Sequence, residues 1–398
     1  LQKEILKLNT QEKTKVTSTI VVTTPKGLSS VLKDEIGALG FTAVHVGTMS
    51  VTVMGSFSDA IKLNLYLRTA HHVLYKIDEF RCTSPDDLYK NVNRLPWETM
   101  IAADEYLSVV SNVENDTIRD SRFANMKCKD AIVDRILSRK GKRPDSGPER
   151  NGVVVNIYWK NEKCIVYIDT SGESLSRRGY RMIPLHAPMQ ETLAAGIILS
   201  GRKLAPDMNF VNPMCGSGTI AIEAALLQAN IAPGLLRNNF GFLHTLLCNK
   251  NEWAELRACA RAAVKRQEEK KIIASDIDPE AIRAAQKNAQ TAGVLDMIEF
   301  SEKDISDSVV PNGSGVVMIN PEYGIRLGDE KTLEDTYRKI GWFLKNRCAG
   351  YVGYVFTGNT KLIGNVGLKS KRRIPFNSGT LECRLYEYEL YEGKREDR

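Results

Sequence analysis

The sequence predicts an α/β protein: a doubly wound, mostly parallel sheet ending in an antiparallel hairpin, preceded by an α+β region. Three observations predict it. From about residue 190 onward, short apolar strands alternate with amphipathic helices, the pattern of a parallel sheet covered on both faces. A glycine-rich turn, "NPMCGSGT" at 212–219, stands between one such strand and its helix. Before residue 170 the order differs, with strands that pair as hairpins around capped helices. At 398 residues the chain is long enough for two or three domains.

The elements read in order as follows. "TSTIVVTT" (17–24) is a β-branched strand, and "GLSSVLKDEIGALG" (27–40) an amphipathic helix closed by Gly40. "TAVHV" and "SVTVMG" alternate as a hairpin with Gly47 at the turn, and "SFSDAIKLNLYLRTA" (56–70) is a helix. "SPDDLYKNVNRLPW" (84–97) starts as a capped helix, "EYLSVVSNV" is a strand, and a basic helix follows. "VVVNIYW" and "CIVYIDT" are strands around "KNEK". The polar, Gly/Pro-punctuated segment 171–190 reads as a boundary, dividing the chain into 1–75, 76–180 and 181–398. Beyond it lie the helix "QETLAAGIILSG", the strands "KKIIASD", "MIEFSEKD", "GVVMIN" and "YVGYVFTG" with their helices, and the final strands "RRIPF" and "ECRLYEYEL".

Bulk properties exclude several classes. No apolar run reaches membrane-span length, and no signal-peptide pattern opens the sequence. The eight cysteines are scattered without a CxxC pair, which argues against zinc and a disulfide framework and for a reducing, cytoplasmic compartment. The first residue is Leu1 rather than Met, so a preceding segment carrying targeting information is an open expectation. Net charge is +7, and residues 119–143 carry nine Lys/Arg against three Asp/Glu. Such a field suits a polyanion, which nominates Arg122, Lys127, Lys129, Arg139 and Lys140 as a nucleic-acid-binding surface. A solvated helix face is the plainer alternative for a charge run alone.

The motifs sharpen the chemistry. Gly216 and Gly218, with Asn212, Pro213 and Ser217 around them, form a turn that admits a ligand close to the backbone. "GSGTIA" also meets the looser dinucleotide pattern. In "IIASDIDPE", Asp276 ends the apolar strand and is expected at a ribose hydroxyl. Asp278 precedes Pro279 and is expected as a helix cap. Asp276 follows Gly218 by 58 residues, whereas a dinucleotide fold places its acid about 20 residues on. The intervening sequence must hold an extra helical excursion, and a dehydrogenase reading weakens. Asp304, after the third strand, is a candidate contact for an adenine amino group.

"NPEY" at 320–323 follows the buried strand "GVVMI". Alone it reads as a β-turn; after the glycine turn and both acids, a chemical role is the better reading. The amino group of a nucleobase is a poor nucleophile because its lone pair is delocalised. The Asn320 side-chain oxygen and the Pro321 carbonyl are placed to accept its two hydrogens. They would draw the lone pair out of conjugation and stabilise charge building on nitrogen during attack on a methyl sulfonium. Tyr323 offers a stacking face, worth about 1–3 kcal/mol. Cys215 lies in the turn and reads as packing, not as a covalent nucleophile.

"NPMCGSGTIAIEAA", "NIAPGL", "SDIDPEAI", "NPEYGIRLG", "TGN" and "LECRLYEYEL" resemble the bacterial THUMP-domain RNA methyltransferases, specifically the 23S ribosomal RNA guanine-N2 branch. "LNLYLRTAHHVLYKIDEF", "LYKNVNRLPWE", "MKCKDAIVDR" and "DTSGESLSRRGYR" resemble that family's ferredoxin-like and THUMP region. The resemblance implies a Rossmann-like class I methyltransferase domain, S-adenosyl-L-methionine as cofactor, and RNA as partner. Asn212, Pro213, Gly216, Ser217, Gly218, Asp276, Asp304 and Asn320 would line the cofactor, and Asn320, Pro321 and Tyr323 would clamp the base. Two residues depart from the pattern: Asn212 stands where Asp is usual, and Glu322 replaces a second proline. With the other three clamp residues in place, the clamp is expected to work. The sequence ends after the terminal hairpin, so one activity is expected. Rival expectations are a tRNA guanine, an adenine N6 in DNA, and a non-catalytic RNA-binding assembly factor.

Overall fold

The computed structural model describes residues 16–115, 120–185, 188–201, 204–205, 208–266, 272–322, 330–379 and 381–391. The first sheet is built from β1 (Ser18–Thr23), β2 (Ala43–Val46), β3 (Ser50–Gly55) and β4 (His72–Arg81), then β5 (Tyr106–Glu114), β6 (Asp145–Ser146), β7 (Val153–Lys160) and β8 (Lys163–Asp169). Its order is β2-β3-β1-β4-β8-β7-β5-β6. The sequence reading passes over β4, and β4 is the strand that joins the two expected N-terminal modules into one sheet. Its first residues, His72–Tyr75, pair with β1 (Val22↔Val73), and Leu74–Arg81 pair with β8 (Phe80↔Cys164). A register shift between Lys76 and Asp78 marks a bulge, which breaks the two-residue alternation that would reveal the strand.

Helices α1 (Ser29–Ala38), α2 (Phe57–Tyr66), α3 (Pro85–Asn93) and α4 (Ser121–Lys140) cover this sheet. Local chemistry sets their ends. Ser56 and Asp59 form a reciprocal capping box on α2, Ser84 caps α3 with Pro85 following, and Gly141 closes α4 at φ +69°. Trp97 and Trp159 are fully buried beneath α3 and α4, with Ala131, Ile132 and Ile136 of α4 packed beside them.

The second sheet comprises β9 (Asn209–Pro213), β10 (Ile272–Asp276), β11 (Ile298–Glu302), β12 (Gly315–Ile319), β13 (Val352–Thr357), β14 (Arg372–Ser378) and β15 (Leu381–Glu389). Its order is β11-β10-β9-β12-β13-β15-β14, parallel up to β13, with β15 antiparallel to β13. Helices α5 (Glu191–Ser200), α6 (Thr219–Gln228), α7 (Lys250–Ala262), α8 (Pro279–Ala292) and α9 (Glu330–Arg347) accompany it. β12 is buried at every position, as a central parallel strand covered on both faces must be. Strand order reverses between β9 and β12, which makes their carboxyl ends the binding crevice of such a sheet.

The excursion between α6 and β10 contains two short 3-10 turns (Pro233–Leu236, Gly241–His244) and α7. It packs on the N-terminal sheet rather than its own. Trp253 of α7 stacks edge-on against Phe240 and Phe242, and these rings join the same core as Val51, Ile61 and Leu65. The buried Arg237 guanidinium donates to the carbonyls of Ser174, Arg177 and Glu173 at 2.8–3.0 Å, fixing the segment between the sheets.

Candidate active site

Three strand ends build the site. Val211 pairs with Val317 and Pro213 with Ser275, so β9, β10 and β12 finish at nearly one level. The residues just beyond them are the glycine turn, Asp276 and Asn320.

The turn holds three left-handed residues in alternation, Met214 (φ 60°), Gly216 (φ 53°) and Gly218 (φ 82°). Of the two glycines, Gly218 is also pinned by packing: a Cβ there would lie 2.9 Å from the Ala285 Cβ on α8. At Gly216 a Cβ would meet nothing within 4 Å, so the turn faces open space at that point. The Cys215 N–H donates to the Ser275 carbonyl at 2.9 Å and the Gly216 N–H to Asp276 Oδ2 at 2.8 Å. Gly218 then starts α6 with no side-chain cap, which leaves the positive end of that helix available to an electron-rich ligand. Asp276 Oδ1 also accepts the Asp278 N–H at 3.1 Å, and each carboxylate oxygen keeps a lone pair for a hydroxyl. Asp278 caps α8 through the Glu280 N–H at 2.8 Å, with Pro279 as the first helical residue. Burial pushes the Cys215 thiol up, which keeps it protonated and unreactive.

Asp304 follows β11 and caps the short 3-10 turn Ile305–Asp307. Burial opposes its ionisation. The Ser306 N–H at 3.0 Å and Lys339 Nζ at 2.9 Å outweigh that and hold the carboxyl below its usual range. Lys339 is half-exposed, so this pair is a weak tie that a ligand amino group can rival.

Asn212 is fully buried, and its Nδ2 donates to the Met318 carbonyl at 2.8 Å. This amide ties the end of β9 to the end of β12, two residues before Asn320. An ionised Asp has no hydrogen to offer that carbonyl, so the departure from the expected residue carries a structural role here. Asn320 Oδ1 is buried without a hydrogen-bond partner among the described residues. A buried amide oxygen left unpaired costs roughly 1–3 kcal/mol until a donor arrives. Pro321 is buried and Glu322 exposed, which leaves the substituted side chain turned to solvent. Tyr323 lies outside the described residues.

The basic candidates lie on α4, in the N-terminal half. Arg122 pairs with Asp120 at 2.8 Å, Lys127 with Asp86 at 3.6 Å and Lys129 with Asp130 at 2.8 Å. Arg139 Nε stands 4.0 Å from a Glu98 carboxylate that Arg135 already grips at 2.7 and 2.9 Å. Arg139 and Lys140 are therefore the most available of the set, at the exposed end of the helix. Two residues that the sequence reading passes over belong to the site's frame: Met318, through its carbonyl, and Asn288 of α8, which donates to the Ser217 carbonyl at 3.1 Å.

Among the described residues no helix is long and apolar enough to cross a membrane. The glycine opening, the uncapped helix and the strand-end acid fit a nucleoside carrying a charged tail.

Comparison with known proteins agrees with this geometry. The family described as RMKL-like, methyltransferase domain, matches residues 178–387. The RlmL ferredoxin-like domain matches residues 19–74 and the THUMP domain residues 82–169. A ribosomal RNA large subunit methyltransferase K/L of Syntrophotalea carbinolica is 37% identical over 381 residues, covering 93% of this chain and 53% of that protein. The chain thus spans about half the length of the K/L relatives it matches. The crystal structure of SMU.472, described as a methyltransferase and complexed with SAH, superposes with a TM-score of 0.84 at 28% identity, covering 96% of this chain and all of that one. A Listeria monocytogenes structure, described as a predicted N6-adenine-specific DNA methylase, gives 0.82 at 31% identity, covering 95% and 97%.

Proposed function

We propose that this chain, which belongs to the RMKL-like methyltransferase family, transfers a methyl group from S-adenosyl-L-methionine to the exocyclic N2 of a guanine in 23S ribosomal RNA. The observation that carries this reading is the buried Asn320 Oδ1, without a hydrogen-bond partner among the described residues, just past the end of β12 at the switch point beside β9. An acceptor held there without a donor is matched to a substrate that brings an N–H.

S-adenosyl-L-methionine, when bound, supplies a methyl group on an electrophilic sulfonium. Asp276 accepts from the ribose hydroxyls while its other contacts keep the Gly216 backbone in place. Gly216, Ser217 and Gly218 line the opening for the rest of the cofactor, the buried Asn212 and Pro213 support it from behind, and Asp304 accepts from the adenine amino group. Asn320 Oδ1 and the Pro321 carbonyl take the two hydrogens of the target amino group. Positive charge developing on nitrogen is then met by two fixed dipoles. No strong base is required, since the proton becomes acidic once the new bond forms. Tyr323 is assigned the stacking face on its place in the sequence.

RNA enters through the N-terminal half. Arg122, Lys127, Lys129, Arg139 and Lys140 contact phosphates, and shape rather than base sequence orients a structured RNA there. The excursion packed into the N-terminal core supports a fixed distance between that surface and the crevice. The target guanine is unpaired or flipped out of its stack.

Adenine N6 offers the same two hydrogens to the same acceptors, and the Listeria relative carries that description. Methyl transfer onto protein-free ribosomal RNA, tRNA and duplex DNA, each followed by nucleoside analysis, separates these readings. Label confined to ribosomal RNA as N2-methylguanosine supports the proposal, and N6-methyladenosine in DNA would replace it.

A further inference from the structure

Asn288 has every hydrogen-bonding site of its amide engaged. Its Oδ1 accepts the N–H groups of Met182 and Ile183 at 2.8 and 3.1 Å, and its Nδ2 donates to the carbonyls of Ile183 and Ser217 at 3.2 and 3.1 Å. The residue is 1% exposed. It therefore joins three things that are far apart in sequence: helix α8, the turn between β9 and α6, and the segment that links the two sheets.

That linking segment is fastened a second time nearby. Arg181 Nη2 donates to the Met189 carbonyl at 2.7 Å and to Thr219 Oγ1, at the start of α6, at 3.2 Å, while Nε reaches Glu191 at 3.2 Å. The segment thus passes against the first turn of α6 and is held there.

The turn needs an outside hold. Glycines at 216 and 218 allow left-handed angles, but glycine gives no preference for them over others. On α8, Ala285 limits Gly218 by contact, and Asn288, one helical turn further on, fixes the Ser217 carbonyl by a hydrogen bond. Two neighbours on one helix face thereby set the orientation of the peptide between Ser217 and Gly218.

We infer that Asn288 is a positioning residue for the cofactor: it holds the Ser217 carbonyl, and with it the glycine turn, against the segment that joins the RNA-gripping half to the catalytic half. The inference rests on the cofactor reading given above. It also makes the linking segment part of the cofactor site's support rather than a passive tether.

Two substitutions divide the role. Asn288→Asp keeps oxygens for the Met182 and Ile183 N–H groups but sets an oxygen against the Ser217 carbonyl. Asn288→Ala removes all four bonds. Gln228→Ala is the matched control, since Gln228 is equally buried and donates to the Ala205 and Met208 carbonyls at 3.1 and 2.7 Å, at the opposite end of α6. The measurement is calorimetric binding of S-adenosylhomocysteine by the full chain, with melting temperatures in parallel. Both Asn288 variants bind about tenfold more weakly or worse, with KM for the cofactor raised more than kcat is lowered. Gln228→Ala melts earlier but binds as the wild type does. Unchanged binding in Asn288→Asp, or an equal loss in Gln228→Ala, would overturn the inference. Absence of binding by the wild type would instead overturn the cofactor reading on which it stands.

Discussion

Asp276 and Gly216, sixty positions apart, are joined by a 2.8 Å hydrogen bond from the glycine N–H to the carboxylate Oδ2. The strand-end acid therefore shapes the turn as well as facing the crevice. Asp276→Ala removes this acceptor and the one for the Asp278 N–H together. Affinity for S-adenosylhomocysteine is expected to fall at least about tenfold by calorimetry, the loss of one charged acceptor. An unchanged affinity would separate the acid from the cofactor.

The excursion around α7 welds the two halves. Trp253→Ala empties space between Phe240, Phe242 and the N-terminal core, at a cost of about 3–5 kcal/mol. Denaturant unfolding followed by circular dichroism is expected to shift its midpoint in a single transition. A second transition appearing in the wild type would mean that the halves unfold independently.

Acid should loosen the same junction. His71 lies one residue before β4, with Nε2 3.1 Å from Thr192 Oγ1 on α5. Burial first, then the neighbouring charges of His72 and Arg178, lower its pKa from 6.5 to about 4. Below pH 6.5 the unfolded chain takes up a proton that the folded chain refuses until about pH 4. Stability from this residue is whole above that window and lost progressively across it, by up to about 3 kcal/mol. A His71→Gln variant is expected to flatten the fall in melting temperature between those two values; an identical slope would assign the acid sensitivity elsewhere.

The exposed end of α4 is the electrostatic test. Glu98 is already satisfied by Arg135, so reversing Arg139 and Lys140 to Glu leaves the fold in place. RNA affinity is expected to drop across all sequences, with the slope against log salt shallower by about one for each phosphate no longer neutralised. Filter binding at several salt concentrations reads both. An unchanged slope would move the RNA surface off this helix.

Much of the second half was legible in the sequence because its strands are short, apolar and separated by capped helices. The 58-residue gap between Gly218 and Asp276 correctly announced an excursion, but nothing in its composition said that Trp253 would pack on the other sheet. β4 escaped because its bulge at Lys76–Asp78 interrupts the alternation. At the site, the residue types of the turn and of Asn320 were readable as motifs. The ties that hold them were not: Asn212 to Met318 and Asn288 to Ser217 join residues more than seventy positions apart, and side-chain amides carry no periodic signal.

The central claim is that Asn320 clamps a guanine amino group. Its most direct test is transfer of tritiated methyl from S-adenosyl-L-methionine to protein-free 23S ribosomal RNA, with Asn320→Ala beside the wild type and digestion to nucleosides. The account predicts label in N2-methylguanosine and a fall of about 10²-fold or more in the variant, larger than any loss of S-adenosylhomocysteine affinity. Equal rates in the two proteins, or label in another nucleoside, would contradict it.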